Sequence, residues 1–565
     1  MQLIYLYIEN YKNIQNQGFN FTTEFKCDYK DGTLTIDKNE NYIENFFGGN
    51  IEVSAIVGEN GSGKSNLLNL LFNEHFMTNV FFILKNHNEL KIYGADLDSI
   101  KYPNNTIREE QLVDKIFSCT NLSLGKLNSH KLAFYTPLLQ NTFTDNQHNH
   151  VDTKYNLSPA SLLDDYKSGD QVYKDISFKN LYGIYESNDI QNAIGMIKNC
   201  RNINIPFDVP EELTIRVNII ADYEEFLPHY EFLKDKKRND DSFYSYMEQR
   251  IIKNWFANSF EDFYSKNNED ENRSLLEPIK ENFGEFYSID TLISILPQTI
   301  SMSGINASID FLHDQLKEIN NFLEEIKKIA NAQTGNSLRL NIDKIANDFI
   351  LKYNKVVESC SAFLDFDWNP KLSSGQQTFL SQFSLFYKHL NNNDKTFLFI
   401  DEGETTLHPN WQKMYIKYIV DFFQKNMKNK KIHIIFSSHS PFILSDIPRQ
   451  NIVFLKDGKQ VDALEKKQTF GANIHTLLAD GFFMDGGLMG EFAKEKIEEV
   501  IKFLNDDKSK IKDKKEAQKI INIIGEPFLK QKLQDMYFKK FNDNSVDEQI
   551  KKLERQIERL KNVKS

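Results

Sequence analysis

The eight residues Gly58-Glu59-Asn60-Gly61-Ser62-Gly63-Lys64-Ser65 carry the spacing GxxxxGKS. In such a loop the glycines allow a tight backbone path that points several N–H groups at one anion, and the helix that follows turns its positive end the same way. Gly58, Asn60, Gly61, Ser62 and Gly63 would form the cradle, Lys64 would reach the outer phosphates of a nucleotide, Ser65 would ligate Mg2+, and Asn66 opens the helix-like run. Three distant segments supply what a phosphate cradle lacks. Asp401 closes the apolar run Phe397-Leu398-Phe399-Ile400 and is followed at once by Glu402, so two adjacent carboxylates are available for separate tasks. Asp401 suits Mg2+ through its water shell, and Glu402 suits orienting or deprotonating an attacking water. His439, inside Ser437-Ser438-His439-Ser440-Pro441, is placed to contact a terminal phosphate, and Leu372-Ser373-Ser374-Gly375-Gln376 begins a helix whose hydroxyls and N–H groups can bind an anion.

These groups need elements to hold them. Residues 51–57 read as a buried strand entering the glycine loop, and residues 65–71 as the helix leaving it. Runs at 396–400 and 432–436 read as buried parallel strands, each ending in polar candidates. Residues 3–8 read as a further strand, and 18–25 with 34–36 as a hairpin. Leu372 follows Ser65 by 307 positions, so a large insertion lies between the catalytic segments, with loops expected at 239–241 and 266–270. Within it Ile309, Leu312, Leu316, Ile319, Leu323, Ile326 and Ala330 recur three and four apart, as in a helix packed along one seam. That is a bundle helix of a few turns, too short for an extended coiled-coil arm. From about 469 the chain is helical in character, and Val546, Ile550, Leu553, Ile557, Leu560 and Val563 suit a short coiled coil, a partner-binding helix or a docked terminal helix. The expected layout is 1–80 as the first lobe, 81–365 as the insertion with part of the head, 366–460 as the second lobe, and 461–565 as a helical region that dimerises or binds a partner.

With 565 residues, 40% of them hydrophobic, the chain can bury several cores. A net charge of −12 argues against a broadly basic nucleic-acid surface and leaves room only for a local groove. Cys27, Cys119, Cys200 and Cys360 show neither metal-ligand nor disulfide spacing, which suits a reducing cytoplasm. No apolar stretch approaches the roughly 20 residues that span a bilayer, and the first residues lack a signal-peptide pattern, so no membrane partner is expected.

Taken together, the four segments resemble an ATP-binding-cassette ATPase of the soluble branch that includes SMC proteins, recombination ATPases and overcoming-lysogenization-defect nucleases. Glu404-Thr405-Thr406-Leu407-His408-Pro409-Asn410-Trp411-Gln412 is similar to that branch's LHP-containing segment, and Glu9-Asn10-Tyr11-Lys12-Asn13-Ile14 to its opening. The resemblance implies an α/β ATPase head: a P-loop NTPase with a parallel core sheet and an N-terminal antiparallel β layer, carrying a large, mainly helical insertion and a helical C-terminal region. It also implies ATP and Mg2+ as cofactors, and a homodimer in which two heads sandwich two ATP molecules. Ser373 and Gly375, with Gln376 beside them in the signature loop, would then face the triphosphate of the other subunit. Lys12 and Asn13 match a region that contacts nucleotide in relatives, although a surface turn explains them equally. Gln140 is the best match to the metal-contacting glutamine loop of transporter heads, with a surface loop as the alternative.

A narrower similarity lies in Thr469-Phe470-Gly471-Ala472-Asn473-Ile474-His475, Gly487-Leu488-Met489-Gly490-Glu491-Phe492-Ala493 and Ile524-Gly525-Glu526-Pro527. These resemble the ATPase subunits (the PtuA group) of Septu-type and retron-associated antiphage systems, whose partner is a separate HNH nuclease. An internal nuclease of the lysogenization-defect type is not expected, because the strand-like 451–455 is followed by Lys456-Asp457-Gly458 with no Asp-x-Asp after it. The expectation is a dimeric ATPase that controls a nuclease effector in antiphage defence. A DNA-maintenance ATPase that grips duplex DNA, and a nucleotide-dependent scaffold with little turnover, are the alternatives.

Overall fold

The computed structural model describes residues 2–73, 80–86, 89–94, 120–121, 131–137, 154–157, 178–200, 203–217, 309–334, 337–360, 364–390, 395–461, 468–478 and 488–541, with scattered positions between 243 and 294. The chain divides into two compact units, Met1–Phe483 and Met484–Ser565.

At the centre of the first unit lies a seven-stranded sheet in the order Lys154–Asn156, Lys131–Tyr135, Lys395–Asp401, Lys431–Ser437, Ile51–Gly58, Ile452–Lys456, Lys459–Gln460. Every pairing is parallel except the last. The inner strands read as continuous apolar runs because both faces are covered, and the alternation of side chains assigns each residue to one of two cores. Phe397 and Phe399 join Ile56, Ile435 and Val453 against Leu67, Leu68 and Leu71 of the Lys64–Asn73 helix. Leu398 and Ile400 join Val53, Val57, Ile434 and Phe436 in the core shared with Phe379, Phe383 and Phe386 of the Ser374–Leu390 helix and Phe422 and Phe423 of the Pro409–Asn426 helix. Burying an aromatic side chain contributes roughly 2–3 kcal/mol, so this paired arrangement dominates the unit's cohesion.

An antiparallel layer covers the phosphate-loop side. The strand Gln2–Tyr11 pairs with Ile14–Asn20 on one side and Val80–Asn86 on the other, while Phe25–Lys30 and Thr33–Lys38 form their own two-stranded ribbon. This corrects the hairpin expected from 18–25 and 34–36. Gly18 belongs to one strand and Phe25 begins another, because Ile14–Asn20 pairs back onto the first strand through a two-residue turn at Lys12-Asn13. The first strand bulges at Ile4, between Leu3 and Tyr5. Leu3 N–H donates to His433 Nδ1 (2.9 Å), and the opposite ring nitrogen lies 2.8 Å from Ser54 Oγ, which itself donates to the Phe21 carbonyl (2.7 Å). Nδ1 is therefore the acceptor nitrogen of a neutral ring, a state that complete burial enforces by holding the imidazole down at about 3. A structural histidine thus bonds the antiparallel layer to the parallel sheet.

Within the inserted region the helix Ile309–Ile329 buries Leu316, Ile319, Leu323 and Ile326 as the seam requires, but Ala330 already begins a strand. That strand belongs to an antiparallel sheet in the order Ala330–Thr334, Ser337–Asn341, Glu212–Val217, Leu364–Asn369, an element the sequence reading did not locate. Loops expected at 239–241 and 266–270, and the heptad-like tail from Val546, lie outside the described residues. Cys27 and Cys200 are buried free thiols. No helix among the described residues is long and apolar enough to cross a membrane.

Among its described residues the second unit packs three helices, Glu491–Leu504, Lys514–Ile523 and Pro527–Phe541, around Val500, Ala517, Ile521, Leu533 and Tyr537. The helical character expected from about 469 holds here.

Replacing His433 with Leu strands the Leu3 N–H in the core. The expected loss is about 1–3 kcal/mol, read as a lower urea midpoint, with the antiparallel layer losing hydrogen-exchange protection first.

Candidate nucleotide site

Strand register fixes the site. Asp401 sits opposite Ser437, Ser437 opposite Ile56, and Gly58 closes the next strand, so the loop and the two carboxylates emerge at the same edge, two strands apart. At roughly 4.8 Å per strand that separation is about 10 Å, with Ser438 and His439 issuing from the strand between. Of the residues singled out in the sequence, Gly58 to Asn66, Asp401, Glu402 and His439 come together at this edge.

Gly63 has φ +110° and Gly61 φ +78°, backbone that side chains disfavour. A Cβ on Gly63 would also come within 3.0 Å of Asn13 Oδ1. Asn13 therefore belongs to the loop's support. Its side-chain amide donates to the carbonyls of Gly61 (3.4 Å) and Ser62 (3.3 Å), and its Oδ1 accepts from Asn66 (2.8 Å). Lys12, at φ +51° in the same turn, is exposed with its ammonium 5.4 Å from the Tyr11 ring centre, and among the described residues no contact joins it to the loop. Sequence reading missed Gly458. Its N–H donates to the Ser62 carbonyl (2.8 Å), its φ is +75°, and a Cβ there would collide with the Asn13 backbone. The Asp457-Gly458 dipeptide was a legible turn, but nothing in it says which loop it supports. Lys456 adds an ion pair to Glu59 at 3.5 Å.

Lys64 Nζ donates to the carbonyls of Gly58 (3.1 Å) and Glu59 (3.0 Å), and burial lowers its affinity for a proton against the opposing pull of Glu402 and Asp401. The Ser62 hydroxyl is buried with no hydrogen-bond partner among the described residues. A buried hydroxyl beside helix-terminal N–H groups and a partly dehydrated ammonium suits polyphosphate oxygens. Asp401 is 7% exposed, and burial raises its carboxyl, moderated by the neighbouring Ser437 hydroxyl. No group of three His, Cys, Asp or Glu side chains clusters among the described residues. The hard oxygens of Ser65 and Asp401 fit Mg2+, which takes few protein ligands and fills its shell from phosphates and water.

Glu402 has φ +51°, an uncommon state for a side chain other than glycine, held by its N–H to the Ser437 carbonyl (2.9 Å). Its carboxylate lies 3.5 Å from His439 Nε2. Burial lowers the His439 pKa, Lys64 adds to the effect and Glu402 opposes it, which favours a neutral imidazole. Two residues on, Glu404 is 2% exposed and accepts from Ser438 Oγ, and burial pushes its carboxyl up to about 7. Sequence reading included Glu404 in a similar segment without giving it a role.

The Ser374–Leu390 helix is capped reciprocally: Ser373 N–H donates to Gln376 Oε1 (2.8 Å) and Gln376 N–H to Ser373 Oγ (3.4 Å). Gln376 is thus engaged in the cap, while Ser373 and Ser374 are exposed. A Cβ on Gly375 would lie 3.4 Å from the Thr406 carbonyl and 3.6 Å from the Trp411 ring, so this segment packs on the turn after Glu404. Gln140 lies outside the described residues.

A glycine loop and paired strand-end carboxylates at the carboxyl edge of a parallel sheet, covered on both faces, define a P-loop ATPase. Residues 1–444 match the AAA ATPase domain family, and the chain belongs to it. No curated protein matches the chain.

The folded protein binds the Glu404 proton more tightly than the unfolded chain, whose carboxyl titrates near 4.5. The associated stabilisation is complete below that pH and is lost as the pH rises through about 7. Urea midpoints across this range should shift in favour of Glu404→Gln as pH rises, then run level above it.

Proposed function

We propose that the protein is an ATP-hydrolysing head that dimerises around two nucleotides and controls a separate nuclease effector in antiphage defence. The observation that carries the ATPase chemistry is the meeting of Lys64, Asp401, Glu402 and His439 at one sheet edge. Lys64 and the loop N–H groups bind the β- and γ-phosphates. Ser65 and Asp401 hold Mg2+, which supplies charge neutralisation on the phosphate oxygens when bound. Glu402, set off the strand by its left-handed backbone, accepts a proton from the attacking water as that water's oxygen bonds to γ-phosphorus and the bond to the ADP oxygen breaks. The neutral His439, 3.5 Å from that carboxylate, orients the water and contacts the γ-phosphate.

Dimerisation is supported by the exposed Ser373 and Ser374 at the start of a helix of 17 residues, where Gly375 packs the segment onto the turn at Thr406 and the Trp411 ring. In this reading Ser373, Gly375 and the turn near Thr406 complete the neighbouring subunit's site. The nuclease effector rests on the similarity of the segments from Thr469 to the antiphage ATPase subunits, and HNH chemistry is the expected partner activity.

Lys64→Ala should weaken ATP binding by at least about tenfold, measured with a fluorescent nucleotide. Glu402→Gln should bind ATP like the parent and lose about 100-fold or more in turnover. With ATP it should run as a dimer by light scattering. Parent-like turnover would remove the role given to Glu402, and a strictly monomeric ATP-loaded variant would remove the sandwich. Co-purification with a nuclease encoded beside the gene tests the effector.

A further inference from the structure

Four side chains close a loop of hydrogen bonds behind the catalytic residues. Glu404 accepts from Ser438 Oγ, and Ser438 Oγ in turn accepts from Ser440 N–H (2.9 Å). Ser440 Oγ donates to Gln412 Oε1 (3.1 Å). Gln412 Nε2 then returns to the Glu404 carbonyl (3.3 Å) and the Leu407 carbonyl (3.1 Å). Glu404, Ser438 and Ser440 are buried and Gln412 is half-buried, so water is kept from the Glu404–Ser438 and Ser438–Ser440 bonds and has partial access to those of Gln412. The ring encloses His439 between Ser438 and Ser440 on one side. On the other it holds the turn 404–407, whose Thr406 carbonyl backs onto Gly375. Thr405 N–H to the Glu402 carbonyl (3.1 Å) and Leu407 N–H to the Glu404 carbonyl (2.9 Å) stiffen that turn further.

Such a ring is stiffer than its single bonds, because breaking the Glu404–Ser438 or the Ser438–Ser440 link leaves polar groups unsatisfied in a low-dielectric interior. The two turns it joins come from different strands, and their backbones meet chiefly where Glu402 N–H reaches the Ser437 carbonyl (2.9 Å).

We propose that Glu404, Ser438, Ser440 and Gln412 are positioning residues that lock the His439 turn to the Glu404–Leu407 turn, so that the state of the γ-phosphate at one site is transmitted to the segment facing the second site. The regulatory part rests on the ATPase reading above; the mechanical part rests on the ring alone. The imidazole and the Thr406–Gly375 contact then move as one body, and the two nucleotides of a dimer turn over cooperatively. Glu404 touches no reacting atom. It acts by holding Ser438, and through it His439.

The test uses Ser440→Ala and Gln412→Leu, which open the ring at links remote from the carboxylates, with Glu404→Ala and the conservative Glu404→Gln, whose amide oxygen can still accept from Ser438. Hydrogen exchange of the nucleotide-free full chain should rise about tenfold at both the 404–408 and the 438–441 peptides in each opened variant, and return toward parental protection in Glu404→Gln. Turnover in the opened variants should fall about tenfold with KM for ATP within about twofold, the Hill coefficient should drop to about 1, and Glu404→Ala combined with Gln412→Leu should be no worse than the poorer single variant. Exchange that rises only beside the substituted residue, or losses that add, would overturn the coupling. Should the parent itself hydrolyse no ATP, the ATPase reading fails while the exchange measurement still judges the ring.

Discussion

Parallel pairing of Lys395–Asp401, Lys431–Ser437 and Ile51–Gly58 sets the distance at which every polar group of the site must work. Three strands in fixed register deliver a glycine loop, a Ser-Ser-His turn and a pair of carboxylates to one edge, and none can slide without turning its apolar residues to the wrong core. Phe397 and Phe399 face one cover and Leu398 and Ile400 the other, so a slip of one residue would exchange both sets at once. Geometry at the edge is therefore bought from hydrophobic packing well below it.

The site's polar parts differ in how they are held. Asn13 and the Asp457-Gly458 turn brace the phosphate loop from outside, through carbonyls of Gly61 and Ser62, leaving the inner N–H groups to the anion. Glu402 is held in a disfavoured conformation by backbone bonds to Ser437 and Thr405, whereas Glu404 is sunk into the protein. Two carboxylates two residues apart thus receive opposite environments: one reaches solvent and a histidine, the other is buried against the Ser438 hydroxyl. The Ser374–Leu390 helix is positioned by aromatic packing, with Phe379 stacked on Phe383 at 4.6 Å and against the rings of Trp411, Tyr415 and Tyr418.

Much of this was legible in the sequence because the phosphate loop, the apolar strands and the strand-end carboxylates are local patterns with direct physical meaning. The strands at 51–57, 396–400 and 432–436 and the helix after Lys64 all appear where apolar periodicity put them. Local pattern failed where pairing is decided at long range. Gly18 and Phe25 were joined into one hairpin arm, yet the two-residue turn at Lys12-Asn13 claims residues 14–20 for a different partner. The sheet that brings Glu212–Val217 between Ser337–Asn341 and Leu364–Asn369 joins segments more than a hundred residues apart, which no window of sequence reports. Gly458 and Gln412 could be read as parts of a turn and a segment but not for their roles, which lie in what they touch.

The strand that enters the phosphate loop ends at Gly58, yet its two neighbours in the sheet begin only at Lys431 and Ile452. During synthesis at ~5–20 residues per second, its edges stay unpaired for on the order of tens of seconds after it leaves the ribosome. A nascent chain therefore cannot complete a nucleotide cradle until nearly the whole first unit has been translated, which leaves an early apolar strand in need of protection by chaperones.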